Sequence, residues 1–250
     1  MTTATAPPST SGDMLRRWRT TRRMSQLDLS SAAGVSQRHL SFLETGRAKA
    51  SREMILHLAN ELDVPLREQN VWLRAAGFSD AYSEHGIDEP IMDQVRHVLQ
   101  SLLDAHDPFP AYVVDRRWTL VMTNGPATML MSAVIDPANA PIFGGNILKL
   151  MLHPKGMREP MTNWHEAASA MYSRFLKELA ERPGDASLEE LAAEVRTYPG
   201  VDELALDPSP SPTDLVIPMN LSTPIGELSF ITTIATLGAA YDVTLEELRL

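Results

Sequence analysis

From Met14 to Gly77 the apolar positions keep helical spacing. Leu15, Trp18 and Arg22 stand at i, i+3 and i+7, which predicts a first helix with one apolar edge and an arginine-rich remainder. Ser25 caps a second helix whose stripe of Leu29, Ala32 and Ala33 ends at Gly34. After a short turn Ser36 caps a third, with Leu40 and Leu43 inward and Thr45-Gly46 as its stop. Ser51 opens a fourth, carried by Met54, Ile55, Leu58 and Leu62 and halted before Pro65. Leu66 to Ala76 make a fifth, with Val71, Trp72 and Ala75 inward and Gly77 as C-cap. Residues 1–13, rich in Thr, Ser, Pro and Ala, have too little apolar surface to offset their ordering entropy and read as a flexible tail. The expectation is an all-α five-helix domain over residues 14–78.

Residues 79–90 lack periodicity and read as a linker. Ile91, Val95, Val98, Leu99, Leu102 and Leu103 then outline an amphipathic helix that ends at Asp107-Pro108. Beyond it, Ala111-Tyr112-Val113-Val114, a turn at Asp115-Arg116-Arg117 and Trp118 to Met122 predict a β-hairpin. Asn124 caps a short helix, and Asn146 to Leu152 form the next apolar segment. A long helix runs from about Asn163 to Glu181, with Trp164, Ala168, Met171, Phe175 and Leu179 among its apolar positions. Ser187 caps a helix through Val195, Asp207 to Pro212 is a Pro-rich loop, and two strands follow, Leu215 to Asn220 and Gly226 to Leu237. Mixed helices and antiparallel strands make residues 91–250 an α+β domain with an antiparallel sheet.

The composition, 44% hydrophobic and 22% charged over 250 residues, is that of a globular protein of one or two domains. With 0 Cys, disulfides, thiolate zinc sites and cysteine nucleophiles are excluded together. There is no apolar run of membrane-spanning length and no secretory start, so a cytoplasmic protein without a membrane partner is expected. The net charge of −10 hides an asymmetry. Residues 1–78 carry 11 Lys and Arg against 7 Asp and Glu, a net +4, which leaves −14 on residues 79–250. Within residues 14–52, nine basic side chains face only Asp28 and Glu44, the split of a nucleic-acid-binding module joined to something else. Signatures of catalysis fail. His165-Glu166-Ala167-Ala168-Ser169 opens like a zinc-protease helix but has Ser where the second histidine must stand, and neither a nucleophile elbow nor a Walker loop occurs. The chain is therefore not expected to be an enzyme, nor to need a cofactor.

The second and third helices, joined through Gly34, have the form of a helix-turn-helix, whose second helix enters the DNA major groove. Gln37, Arg38 and Ser41 face outward at the start of that helix, and Gln and Arg are the side chains that read adenine and guanine edges in bidentate fashion. Arg19, Ser25-Gln26-x-x-Leu29, Ala33-Gly34-Val35-Ser36 and Leu40-x-x-Leu43-Glu44-x-Gly46 resemble the XRE or lambda-repressor-like helix-turn-helix domain. That resemblance implies that Gln26 bonds a phosphate and that Gln37 and Arg38 meet bases. Phe42 either touches a thymine methyl or packs inward. It also implies that the loop from Arg47 through Lys49 to Arg52 contacts the backbone of double-stranded DNA, and that Arg19 and Glu44 form a scaffold ion pair.

The larger half resembles the MmyB-like transcription regulator ligand-binding domain through Asn146-Ile147-Leu148-x-Leu150, Leu152-His153-Pro154-x-Gly156-Met157-Arg158, Asn163-Trp164, Gly226-x-Leu228-Ser229-Phe230 and Asp242 to Leu248. The resemblance implies a PAS-like fold and a pocket for a small apolar ligand such as a fatty acid. That family usually continues for another strand or so beyond the point matching Leu250, so the C-terminus is either clipped or short. Of 13 Met, those at 122, 129, 151 and 171 either line such a pocket or fill the core. Arg158, Arg174 or His153 would meet an acyl carboxylate, with Arg158 alternatively pairing to an acidic residue. A helix-turn-helix regulator reads a near-palindromic operator as a two-fold dimer, so a homodimer is expected, with its surface in the larger half. The alternative is that this half only dimerises or docks a partner.

Overall fold

A computed structural model describes residues 10–182, 184–204, 216–238 and 240–250. Residues 1–9 of the expected tail, the Pro-rich loop over 207–212 and the expected strand start at Leu215 lie outside the described residues. The chain divides into two units, residues 1–85 with 238–246, and residues 86–237 with 247–250.

In the first unit, α1 (Ser11–Thr21), α2 (Gln26–Ala32), α3 (Gln37–Glu44), α4 (Arg52–Glu61) and α5 (Leu66–Ala75) enclose a core of Trp18, Leu29, Leu40, Ile55, Leu58, Trp72 and Leu73. Ser25, Ser36 and Ser51 each accept a backbone N–H from the first turn of the helix they precede, as the sequence predicts. The first helix starts earlier than Met14. Thr10 and Asp13 form a reciprocal capping box, and the Trp72 indole N–H donates to the Ser11 hydroxyl at 2.9 Å. Residues 79–85, read as the start of a linker, instead fold onto α5. Asn70 Oδ1 accepts from the Ala81 and Tyr82 amides, and its Nδ2 donates to the Tyr82 carbonyl at 2.8 Å. Pro65 offers no side-chain cap to α5, and the Leu66 amide finds its acceptor 180 residues away, in the Glu246 carboxylate at 2.8 Å.

The second unit begins with α6 (Asp93–Ala105) and the antiparallel hairpin β1 (Tyr112–Val114) and β2 (Leu120–Thr123), which carries an irregularity between Val113 and Val114. There follow α7 (Gly125–Val134), α8 (Ala140–Phe143), α9 (Ile147–Leu152), α10 (Trp164–Glu181) and α11 (Ala186–Val195), then a second hairpin, β3 (Met219–Thr223) and β4 (Gly226–Phe230). The last helix, α12 (Val243–Glu247), falls in the stretch that returns to the first unit, except for Glu247. The domain is α+β as expected, but the described strands form two separate two-stranded sheets rather than one.

Asn124 caps α7 and does more. Its Oδ1 accepts from the Ala127 and Ala111 amides, and its Nδ2 donates to the carbonyls of Leu103 and Phe109, knotting α6, the hairpin and α7 together. The cap of α11 is Asp185, two residues before the predicted Ser187. Asp185 takes the amides of Ser187 and Leu188 and pairs with Arg116 at 2.6 Å. Burial alone would raise its pKa, but the Ser187 hydroxyl bond, the Arg116 charge and the two amides hold it below the usual carboxylate range. The core gathers Leu148, Leu152, Ala168, Phe175, Leu188, Val195 and Leu221. No helix among the described residues is long and apolar enough to cross a membrane.

Candidate nucleic-acid interface and ligand-binding domain

The turn between α2 and α3 is made by Gly34 at φ +63°, a backbone that side chains with a Cβ seldom adopt. It delivers α3 with Leu40 and Leu43 buried in the core and Gln37 and Arg38 exposed at its first turn. Ser41 and Phe42, one turn on, are half-buried, while Arg47 and Lys49 are exposed in the following loop and Arg52 is half-buried at the start of α4. The Phe42 ring neither packs fully inward nor stands free. The Arg38 guanidinium lies 5.3 Å from its centroid and that of Arg47 lies 5.9 Å away, so one ring holds a helix arginine and a loop arginine side by side.

Behind this surface sits Glu44. Its carboxylate accepts from Arg19 Nε at 2.6 Å and Nη2 at 3.1 Å, and from Gln26 Nε2 at 2.8 Å. Arg19 also donates to the Met24 carbonyl at 2.8 Å, so α1, α2 and α3 meet at one buried acid. Burial pushes the Glu44 pKa up, yet the hydrogen bonds of Arg19 and Gln26 and the charges of Arg19 and Arg16 bring it below the ordinary carboxylate value. Gln26, expected at a phosphate, thus has its amide N–H on Glu44, at the exposed mouth of α2.

In the second unit the residues expected at a ligand scatter. Met151 is buried in the core, Met171 packs against it half-buried, Met122 is half-buried on β2, and Met129 is 74% exposed on α7. Arg158 lies 4.2 Å over the Trp164 ring and donates to the Pro199 carbonyl at 2.7 Å. Arg174 is exposed and pairs with Glu178 at 3.4 Å. The His153 ring is wedged edge-on between Phe143 and Tyr198. Burial and the Lys155 charge lower its pKa, against the opposing pull of Glu194.

Within the second unit, two polar atoms that periodicity does not single out stand apart. Ser169 Oγ on α10 and Arg182 Nη1 at its end are buried without a hydrogen-bond partner among the described residues. A serine on a mostly apolar buried face, between Ala168 and Tyr172, is the signal for the first; nothing in the sequence pattern marks the second. Buried polar atoms left unpaired are rare enough to require a reason.

The chain matches the helix-turn-helix family model over residues 15–69 and the model of the MmyB-like transcription regulator ligand binding domain over residues 95–250. Comparison with curated proteins gives no match. The second model spans more than half of the chain, and this protein belongs to the family it describes: a transcription regulator with a helix-turn-helix DNA-binding module and an MmyB-like ligand-binding domain.

Proposed function

We propose that the protein is a sequence-specific regulator that binds a near-palindromic operator as a homodimer. Its PAS-like C-terminal domain takes a small apolar ligand, a fatty acid, whose binding alters operator affinity. The observation that carries the DNA half is the exposed Gln37-Arg38 pair at the first turn of a helix held by a buried Arg19–Glu44–Gln26 cluster, with Arg47 beside it on the same aromatic ring. For the ligand half, Ser169 Oγ supplies a buried hydroxyl without a partner among the described residues, set in an apolar core that includes Met151, Met157 and Met161. We assign the polar end of the ligand to that hydroxyl rather than to Arg158 or Arg174, whose guanidinium groups already have partners.

A ligand changes operator affinity only by binding the two states of the protein unequally. Anisotropy titration of a labelled operator, selected from random duplexes, should therefore give different dissociation constants with and without a saturating long-chain fatty acid. Equal constants reject the sensor reading and leave the DNA reading standing. The engagement of Arg158 and Arg174 favours a second reading, in which this domain only dimerises or docks a partner. Native mass spectrometry of the purified chain separates the two, since a co-purified acyl mass belongs to the first alone.

A further inference from the structure

The apolar stripe of helix α6 is wider than the part of it that the second unit buries. Met92 just before it, with Leu99 and Leu103, is buried in the second unit. Directly beside that buried line, Ile91 in the turn before the helix and Val95, Val98 and Leu102 within it follow one another at spacings of four, three and four residues. Ile91 is 67% exposed, Val98 49% and Leu102 41%, and Val95 is half-buried between them. Alternating steps of three and four are the seam of a helix that packs along a second helix, with each side chain entering a hole on the facing surface.

We propose that this face is the dimer interface and that its occupant is α6 of a second copy of this chain. A two-fold interface sets the same patch against itself, so any charge beside the seam would meet its own kind. The positions flanking the seam on its open side are Gln94 and Ser101, both uncharged. The charged residues of the helix stay off it. Arg96 pairs with Asp93 and donates to the carbonyls of Ile87 and Glu89, and Asp104 accepts from Gln100 at 2.7 Å. The face is thus self-complementary in charge as well as in spacing. The inference deepens the reading of the protein as a two-fold operator binder, but its test contains no DNA.

Sedimentation equilibrium of the full chain should give twice the monomer mass for the wild type. V98E/L102E and V98K/L102K should each dissociate at least roughly tenfold more readily, since ionised groups buried without partners oppose association. Both substitutions sit on exposed positions, and unchanged circular dichroism and melting temperature show that each variant folds. An equimolar mixture of the two should recover a dimer, with acid facing base across the seam. A wild-type chain that stays monomeric at the highest concentration reached, whatever else covers the face, overturns the proposal. So do variants that dimerise as tightly as the wild type, and a mixture no more associated than its parts.

Discussion

Glu44 has 0% of its side chain exposed and holds three helices through Arg19 and Gln26. Removing one member of such a pair leaves the other buried and uncompensated. Glu44→Gln should therefore destabilise the first unit by about 3 kcal/mol at neutral pH, read by denaturant unfolding. Because the folded carboxyl has a pKa below its ordinary value of 4.5, its contribution is complete above that value and is lost as pH falls through the folded one. The gap between variant and wild type should close below about pH 4.5; a gap constant from pH 7 to pH 3 would show that the charge is irrelevant. The Arg19–Glu44 pair was legible in the sequence through its resemblance to a known module, but the third partner was not, because Gln26 was assigned to phosphate. Phe42 shows the same limit from the other side. Its two alternatives, thymine or core, both omitted Arg47, which the loop brings to the ring. Phe42→Ala frees both arginines at a cost of about 1–2 kcal/mol, roughly tenfold in operator affinity. The slope of affinity against salt should be unchanged, because no cation is removed. A variant with wild-type affinity would mean that the ring positions nothing.

At the scale of elements, what the sequence shows clearly is local chemistry. Ser25, Ser36, Ser51 and Asn124 cap the helices expected of them, because a cap is decided within four residues. The misplacements have local causes too. The sequence places the cap at Ser187, but it is Asp185 that accepts the first-turn amides and also gains the Arg116 charge from the hairpin turn. The start of α1 was hidden by a polar, Pro-containing tail, so Gly12 was passed over. A Cβ there would come within 2.7 Å of the carbonyl oxygens of Leu43 and Glu44, both backbone atoms that cannot swing away. The glycine lets α1 reach the end of α3, close to the Arg19–Glu44 pair. Gly12→Ala should destabilise the first unit by about 1–3 kcal/mol, whereas alanine at an ordinary helix position would be mildly stabilising. Thermal melting decides between them, and a higher midpoint would deny the close approach.

For the whole molecule, the largest departure from the expected order is that the two units are not successive segments. Residues 238–246 belong with residues 1–85, while residues on either side of them belong to the second unit. No period or composition could announce this, because the interactions that decide it are single bonds between residues 157 to 180 positions apart. Asp242, buried, accepts from the Ser83 hydroxyl at 3.0 Å, lies 2.8 Å from His85 Nδ1, and caps α12 through the amides of Thr244 and Leu245. Val243 donates to the Ser83 carbonyl at 2.9 Å, and Glu246 completes α5 at Leu66. One carboxylate thus fixes a segment that in turn caps a helix of the DNA-binding module. Asp242→Ala should release that segment at a cost of about 1–3 kcal/mol, the desolvation penalty of the donors left behind. Hydrogen exchange offers a local reading. The amides of Val243 and Leu66 should lose protection together, while those of Leu29 and Leu40, inside the first core, fall only by the global loss of stability. If Leu66 keeps its protection when Val243 has lost it, the Glu246 cap stands without Asp242, and the segment is held by more than this one acid.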